Sequence, residues 1–248
     1  MLSRRAFTPT LASLFAGLGG SAWAGPPVWV SGEVPPYLSR GAQGPEGYAF
    51  ELFQRVTRQA DVPADLQFYP WARALRMLEA REAHAALVIT RTPEREAQFR
   101  WLFPVGSFRL AVVTRAADGP MSSDITALIH RRVGTMRASV SRSMLAAAGA
   151  RHLVEGKDYA ELLTLLQRGL VETVIGPDAV MRSFKARPGE TDNLRITVLD
   201  QGYELYAAAG AAMPDDQVHK LRAAYQQLVD SGAVAQLKKR HPDVFPSG

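Results

Sequence analysis

The chain has 248 residues, 47% hydrophobic and 21% charged, with 29 basic against 24 acidic side chains and no cysteine. That composition suits a folded chain of one large or two smaller domains; it excludes disorder, a disulfide scaffold, a thiolate metal site and a cysteine nucleophile. The net charge of +5 is mild and dispersed, and Arg131-Arg132 and Lys238-Lys239-Arg240 read as solvated faces, so nucleic acid is not expected as a partner.

Residues 1–24 read as an export signal. Arg4 and Arg5 give a positive start, Leu11 to Leu18 an apolar stretch, and Ala22-Trp23-Ala24 a cleavage site. Ser3-Arg4-Arg5-Ala6-Phe7 also fits a twin-arginine signal, and an ordinary signal fits equally. Without Arg4 and Arg5 the balance is 27 basic to 24 acidic residues, or +3. No other apolar run reaches the roughly 18 residues needed to span a bilayer. With no cysteine to lipidate, the expectation is an exported, periplasmic monomer without a membrane anchor.

Val28 to Ser31 is the first expected strand. Gly32-Glu33-Val34-Pro35-Pro36-Tyr37 follows as a stiff loop, because proline fixes φ and restricts the residue before it. Phe50, Phe53, Val56 and Ala60 recur at helical spacing, and Asp61-Val62-Pro63 ends that helix. Leu66 to Tyr69 is a short strand; Pro70 opens a helix with Trp71, Leu75 and Leu78 on one face. Ala85 to Ile89 is an apolar run that suits a buried strand. After it, Thr92 offers an N-cap oxygen, Pro93 fits the first helical position and Arg95 falls in the first turn. An arginine there opposes the helix dipole. It is either a plain surface arginine or a receptor whose planar fork matches a carboxylate. Phe108 to Thr114 is the next strand.

Beyond a polar turn at residues 116–120, strands and helices alternate. Ile125 to Ile129 is a short helix and Val133 to Met136 a strand. Ser141 to Ala148 is a helix stopped by Gly149, and Leu153-Val154 a strand. Asp158-Tyr159-Ala160-Glu161 forms a capping box ahead of a helix that stops at Gly169. Thr173 to Ile175 is a strand, Asp178 starts a helix, and Leu194 to Leu199 is a strand. That alternation implies a mostly parallel sheet. Leu205 to Ala209 follows as a further strand. Val218, Leu221, Tyr225 and Leu228 share a helix face, Gly232 stops it, and 233–240 is a last short helix. The five histidines show no metal-ligand spacing; His84, His152 and His241 read as surface residues. No cofactor is expected.

The run Val88-Ile89-Thr90-Arg91-Thr92-Pro93-Glu94-Arg95, then Phe99-Arg100-Trp101-Leu102-Phe103-Pro104, resembles the signature of the family 3 extracellular solute-binding proteins. In that pattern an apolar strand leads into T-x-T-x-E-R and then F-x-W-x-x-P. The strand and Pro-Pro-Tyr loop near Tyr37, the Pro70-Trp71-Ala72-Arg73-Ala74-Leu75 segment and the order of elements are similar too. The resemblance implies an α/β, two-lobe periplasmic binding protein-like fold of type II, with two crossing strands forming a hinge. Residues 25–113 and 205–248 would make the first lobe and 114–204 the second. It implies a receptor for a small polar solute, served by an inner-membrane ABC permease, with the ligand between the lobes.

By the same resemblance Arg95 and Thr90 would hold a carboxylate, capped from the other lobe by the helix start at Ser139, Val140 and Ser141. Tyr37 and Trp71 would line the cleft and Arg73 would stand near it. Each has a plainer alternative: Tyr37 and Trp71 as packing, Arg73 as a solvated cation, Ser139 as a simple N-cap. The family's ammonium-binding aspartate aligns with Pro177, and Asp178 stands one residue on, where it also suits a helix cap. Glu33 or Glu204 could replace it, or the ligand could be a carboxylate without an α-ammonium. Two other functions stay open. One is a dehydratase on the same scaffold, with Glu172 or Asp178 as general acid. The other is an orphan or sensor receptor.

Overall fold

The computed structural model describes residues 26–119, 121–185 and 193–245, so the expected signal segment lies outside the described residues. The first part of the chain gives β1 (Val28–Ser31), a hairpin of β2 (Ser39–Gly41) and β3 (Gly44–Glu46), α1 (Tyr48–Gln59), β4 (Asp65–Phe68), α2 (Trp71–Glu79) and β5 (Ala85–Thr90). A long strand β6 (Arg100–Arg115) leads into β7 (Val133–Met136), α3 (Val140–Ala147), β8 (Leu153–Gly156), α4 (Tyr159–Gln167), β9 (Thr173–Pro177) and α5 (Asp178–Lys185). A second long strand, β10 (Leu194–Ala209), returns to α6 (Asp215–Asp230) and α7 (Ala233–Lys239).

Eight strands make one curled sheet in the order β4-β1-β5-β10-β6-β9-β7-β8, and β2 pairs only with β3. β6 and β10 have 16 residues each, about 50 Å when extended. They run antiparallel to each other over most of that length. The far half of β10 carries β5 and, through it, β1 and β4; the far half of β6 carries β9 and, through it, β7 and β8. This is an α/β two-lobe fold. Each outer set is parallel, as its strand-helix alternation predicts. The centre is antiparallel, because a chain that crosses out on β6 and back on β10 pairs that way; four of the seven pairings in the sheet are parallel.

The core follows helical and strand spacing. α1 buries Tyr48, Ala49, Leu52, Phe53 and Val56, each large side chain contributing about 1.5–3 kcal/mol. α6 and α7 pack on α1. His241 and Arg240 both reach Glu51, and Phe245 meets the Tyr48 ring edge-on at 4.6 Å between centroids. β6 starts at Arg100, eight residues before the expected Phe108, and runs through Pro104. Val105 is an extra residue against β10 there, and a bulge accommodates a proline that cannot donate to the ladder. His84 also corrects an expectation. It is buried, not on the surface, and its Nδ1 accepts the Val28 N–H at 3.0 Å. No described helix is long and apolar enough to cross a membrane.

Candidate functional site

β5 delivers the Arg95 turn to the seam between the two halves of the sheet. Between Ile89 and Ala86 two residues of β5 face the single Ala207 of β10. Val88 there takes φ 62, a conformation a β-branched residue rarely accepts and one that concentrates at functional sites. This bulge redirects the strand end, so that Thr90 leads into a one-turn 3-10 helix, Pro93–Arg95. Thr92 takes the N-cap position with extended backbone but makes no side-chain cap. That overturns the expected cap and leaves the turn held by its backbone and by Pro93.

From the opposite side, α3 starts at the same seam. Ser139 caps it, its Oγ accepting the Arg142 N–H at 3.2 Å. The hydroxyls of Thr135, Ser139 and Ser141 form a closed, buried triangle with sides of 2.9 to 3.3 Å. The first N–H groups of the helix, at Val140 and Ser141, have no acceptor within it. Just before the cap, Ala138 takes φ 58 and turns its carbonyl across the seam. That carbonyl accepts the Trp71 indole N–H at 3.1 Å and one Arg95 N–H at 3.3 Å. A second Arg95 N–H goes to the Thr90 carbonyl at 3.0 Å. The guanidinium also lies 5.9 Å from the centre of the Trp71 ring.

Beside these groups lies a cavity of about 40 Å³. Arg95, Thr90 and Trp71 come from one side; Ser139, Val140, Ser141, Met136 and Tyr159 come from the other; Phe108, Leu110 and Leu205 of the long strands form the floor, beside Pro177. Burial pulls the Arg95 guanidinium below its ordinary range, with Glu79 and Glu94 partly opposing that from a distance. Arginine stays charged regardless. Arg95 forms no ion pair among the described residues, and its hydrogen bonds go to two neutral carbonyls. Burial raises the Tyr159 hydroxyl well above the usual tyrosine range, so it stays neutral.

The structure does not bring Tyr37, Arg73 or Asp178 to this cavity. Tyr37 and Asp178 line a larger, open pocket of about 750 Å³, and Phe108 lines both pockets. Tyr37 is buried, donates to the Ser107 carbonyl at 2.6 Å, and is held above the usual tyrosine range by burial and by Asp178. Asp178 accepts the Arg109 N–H at 3.1 Å and pairs with Arg182 at 2.8 Å. Arg73 is exposed, its guanidinium stacked 4.7 Å from the Tyr69 ring centre. The three arginines of the larger pocket are each neutralised: Arg91 by Glu96, Arg109 by Asp200, Arg182 by Asp178. Arg95 is not, which sets the smaller cavity apart. Glu33 pairs with Arg40 and lines an outer groove, Glu204 lines the larger pocket, and Glu172 is tied to Arg132. Sequence reading missed the Ala138 carbonyl, Met136, Tyr159, Phe108 and Leu110. Only the tight Arg137-Ala138 link between strand and helix carried a signal, for the first.

A sequence model of the bacterial extracellular solute-binding proteins, family 3, matches residues 27–243. No curated protein matches. Among solved structures the chain is similar to a histidine kinase sensor domain with similarity to periplasmic binding proteins. That match has a TM-score of 0.79 and 19% identity, over 87% of this chain and 95% of the other. It is also similar to the arginine-, lysine-, histidine-binding protein ArtJ from Geobacillus stearothermophilus, with a TM-score of 0.76, 16% identity, 87% of this chain and 94% of that one. A third is the GluR0 ligand-binding core from Nostoc punctiforme in complex with L-glutamate, with a TM-score of 0.75, 17% identity, 90% of this chain and 100% of that one. These identities carry the two-lobe fold, and the family match carries membership. The chain belongs to the bacterial extracellular solute-binding proteins of family 3.

Proposed function

We propose that this protein is a periplasmic receptor that captures a small carboxylate-bearing solute between its lobes and delivers it to an inner-membrane ABC permease. The observation that carries this is Arg95. It is a largely buried guanidinium at the seam of the two lobes, bonded only to neutral carbonyls and facing the start of α3. A cation in that setting is a strong receptor for an anion, because charge-assisted bonds gain most where water is excluded. The free N–H groups of Val140 and Ser141 would meet the same anion from the second lobe. We place the first lobe at 25–113 and 205–248 and the second at 114–204, joined by β6 and β10. Closure would bring the two halves of the receptor together.

Arg95, Thr90, Trp71, Ser139 and Val140 are the ligand-binding residues in this proposal. Tyr37 and Asp178, in the neighbouring pocket, and Arg73, exposed outside it, take no part at this cavity. A dehydratase built on this cavity is disfavoured, since no aspartate, glutamate or histidine lines it to act as general acid. A sensor role keeps one specific support, the similarity to a histidine kinase sensor domain. The test is thermal unfolding against a panel of amino acids and small carboxylates. A ligand specific for the folded state raises the midpoint, by about 2.7 kcal/mol at 100-fold excess over Kd. Shifts seen with carboxylates and abolished in Arg95→Ala support the proposal; shifts unchanged in that variant contradict it.

A further inference from the structure

We infer that the Arg95 cavity selects monocarboxylates that carry an apolar body and no α-ammonium, so the deaminated analogue of an amino acid binds and the amino acid itself is rejected. This rests on the proposal that Arg95 holds the ligand's carboxylate.

Three observations lead there. First, no aspartate or glutamate lines the cavity, and Arg95 is the sole charged residue among its lining groups. The acids that could have served stand outside the cavity, Glu204 lining the larger pocket. Asp178 is turned into the larger pocket by Arg109 and Arg182. Glu33 is paired with Arg40. Asp158 caps α4 and lines only the outer groove, beyond Trp71 and Met136. Second, the carbonyls nearest the guanidinium, of Thr90 and Ala138, already accept from Arg95 and Trp71. An ammonium placed beside the bound carboxylate would meet a like charge and no anionic partner. Leaving a charged group desolvated and unpaired costs far more than leaving a methylene there. Third, beyond the hydroxyls of Thr90, Ser139, Ser141 and Tyr159 the wall is apolar: Trp71, Phe108, Leu110, Met136, Pro177 and Leu205. The enclosed 40 Å³ is smaller than any such ligand, so a body enters with the lobes parted and displaces Met136 or Trp71. Methionine is suited to that adjustment.

The experiment is calorimetric titration of the full mature chain and of its Arg95→Ala variant with three matched pairs: alanine and propanoate, leucine and 4-methylpentanoate, phenylalanine and 3-phenylpropanoate. At least one carboxylate should bind the parent protein about 100-fold or more tightly than its amino acid, and Arg95→Ala should abolish that binding. A Pro177→Asp variant, if it folds, should narrow the ratio by admitting the ammonium. Amino acids that bind as tightly as their partners, and depend on Arg95, would overturn the inference while leaving the carboxylate receptor standing. Binding that ignores Arg95→Ala would overturn both. Failure of all three carboxylates at millimolar concentration would overturn the inference.

Discussion

Trp71→Phe isolates one bond across the seam. The indole N–H of Trp71, from α2, donates to the Ala138 carbonyl at 3.1 Å, 67 residues on and in the other half of the sheet. Phenylalanine keeps an aromatic wall and removes only the donor. The Ala138 carbonyl retains its Arg95 donor at 3.3 Å, so the substitution strands no buried acceptor. The loss is then the net value of one neutral hydrogen bond, about 0.5–1.5 kcal/mol. For lobes that open and close, this raises the ratio of open to closed protein by about 2- to 13-fold. The natural sequence has no cysteine, so labels at Gln54→Cys and Arg151→Cys, exposed residues of the two halves, would be specific. The distribution of label distances should move toward longer separations in Trp71→Phe, while denaturant unfolding changes by no more than about 2 kcal/mol. Identical distance distributions in parent and variant would refute the reasoning.

Three further outcomes are expected. His84 is buried with its Nδ1 accepting from Val28, and burial lowers its pKa. The unfolded chain therefore takes the proton first. This contribution is fully present above about pH 6.5 and is lost as pH falls below it toward the lowered folded value. Unfolding curves across pH should show that loss, and His84→Asn, which keeps an acceptor without titrating, should flatten it. A Cβ added at Gly176 would sit 2.4 Å from the Tyr159 ring and 2.6 Å from the Met181 methyl. Gly176→Ala should destabilise by about 1–3 kcal/mol in denaturant titration and weaken ligand binding by displacing a cavity wall. Ala138 holds φ 58, which a β-branched side chain resists more than alanine, so Ala138→Val should destabilise the protein in the same assay and Ala138→Gly should not.

Much of the scaffold was legible because it is written in local patterns. The apolar run into β5, the Pro93–Arg95 turn, the Asp158 cap of α4 and the α1 stripe each depend on residues a few positions apart. The unread parts depend on distant partners. Arg182 lies one helical turn from Asp178, but nothing near it says that the distant Arg109 N–H will join in holding it away from the cavity, or that Pro177 will take its place in the wall. Tyr37 read equally as a cleft residue or as packing, and the partner of its hydroxyl is a carbonyl 70 residues away. The β2–β3 hairpin has no apolar alternation to announce it, and the Val88 bulge is a pairing property of β5 with β10. The proposed site divides in the same way: Arg95 and Ser139 sit in local motifs, whereas the Ala138 carbonyl between them is a backbone atom with no side-chain signature.

The most direct test of the account is the change in unfolding midpoint on adding 4-methylpentanoate, propanoate and 3-phenylpropanoate to the parent protein and to Arg95→Ala. The account predicts a rise with at least one of them in the parent, none in the variant, and a similar ligand-free midpoint for both. A rise of equal size in both proteins would contradict the claim that Arg95 is the anion receptor.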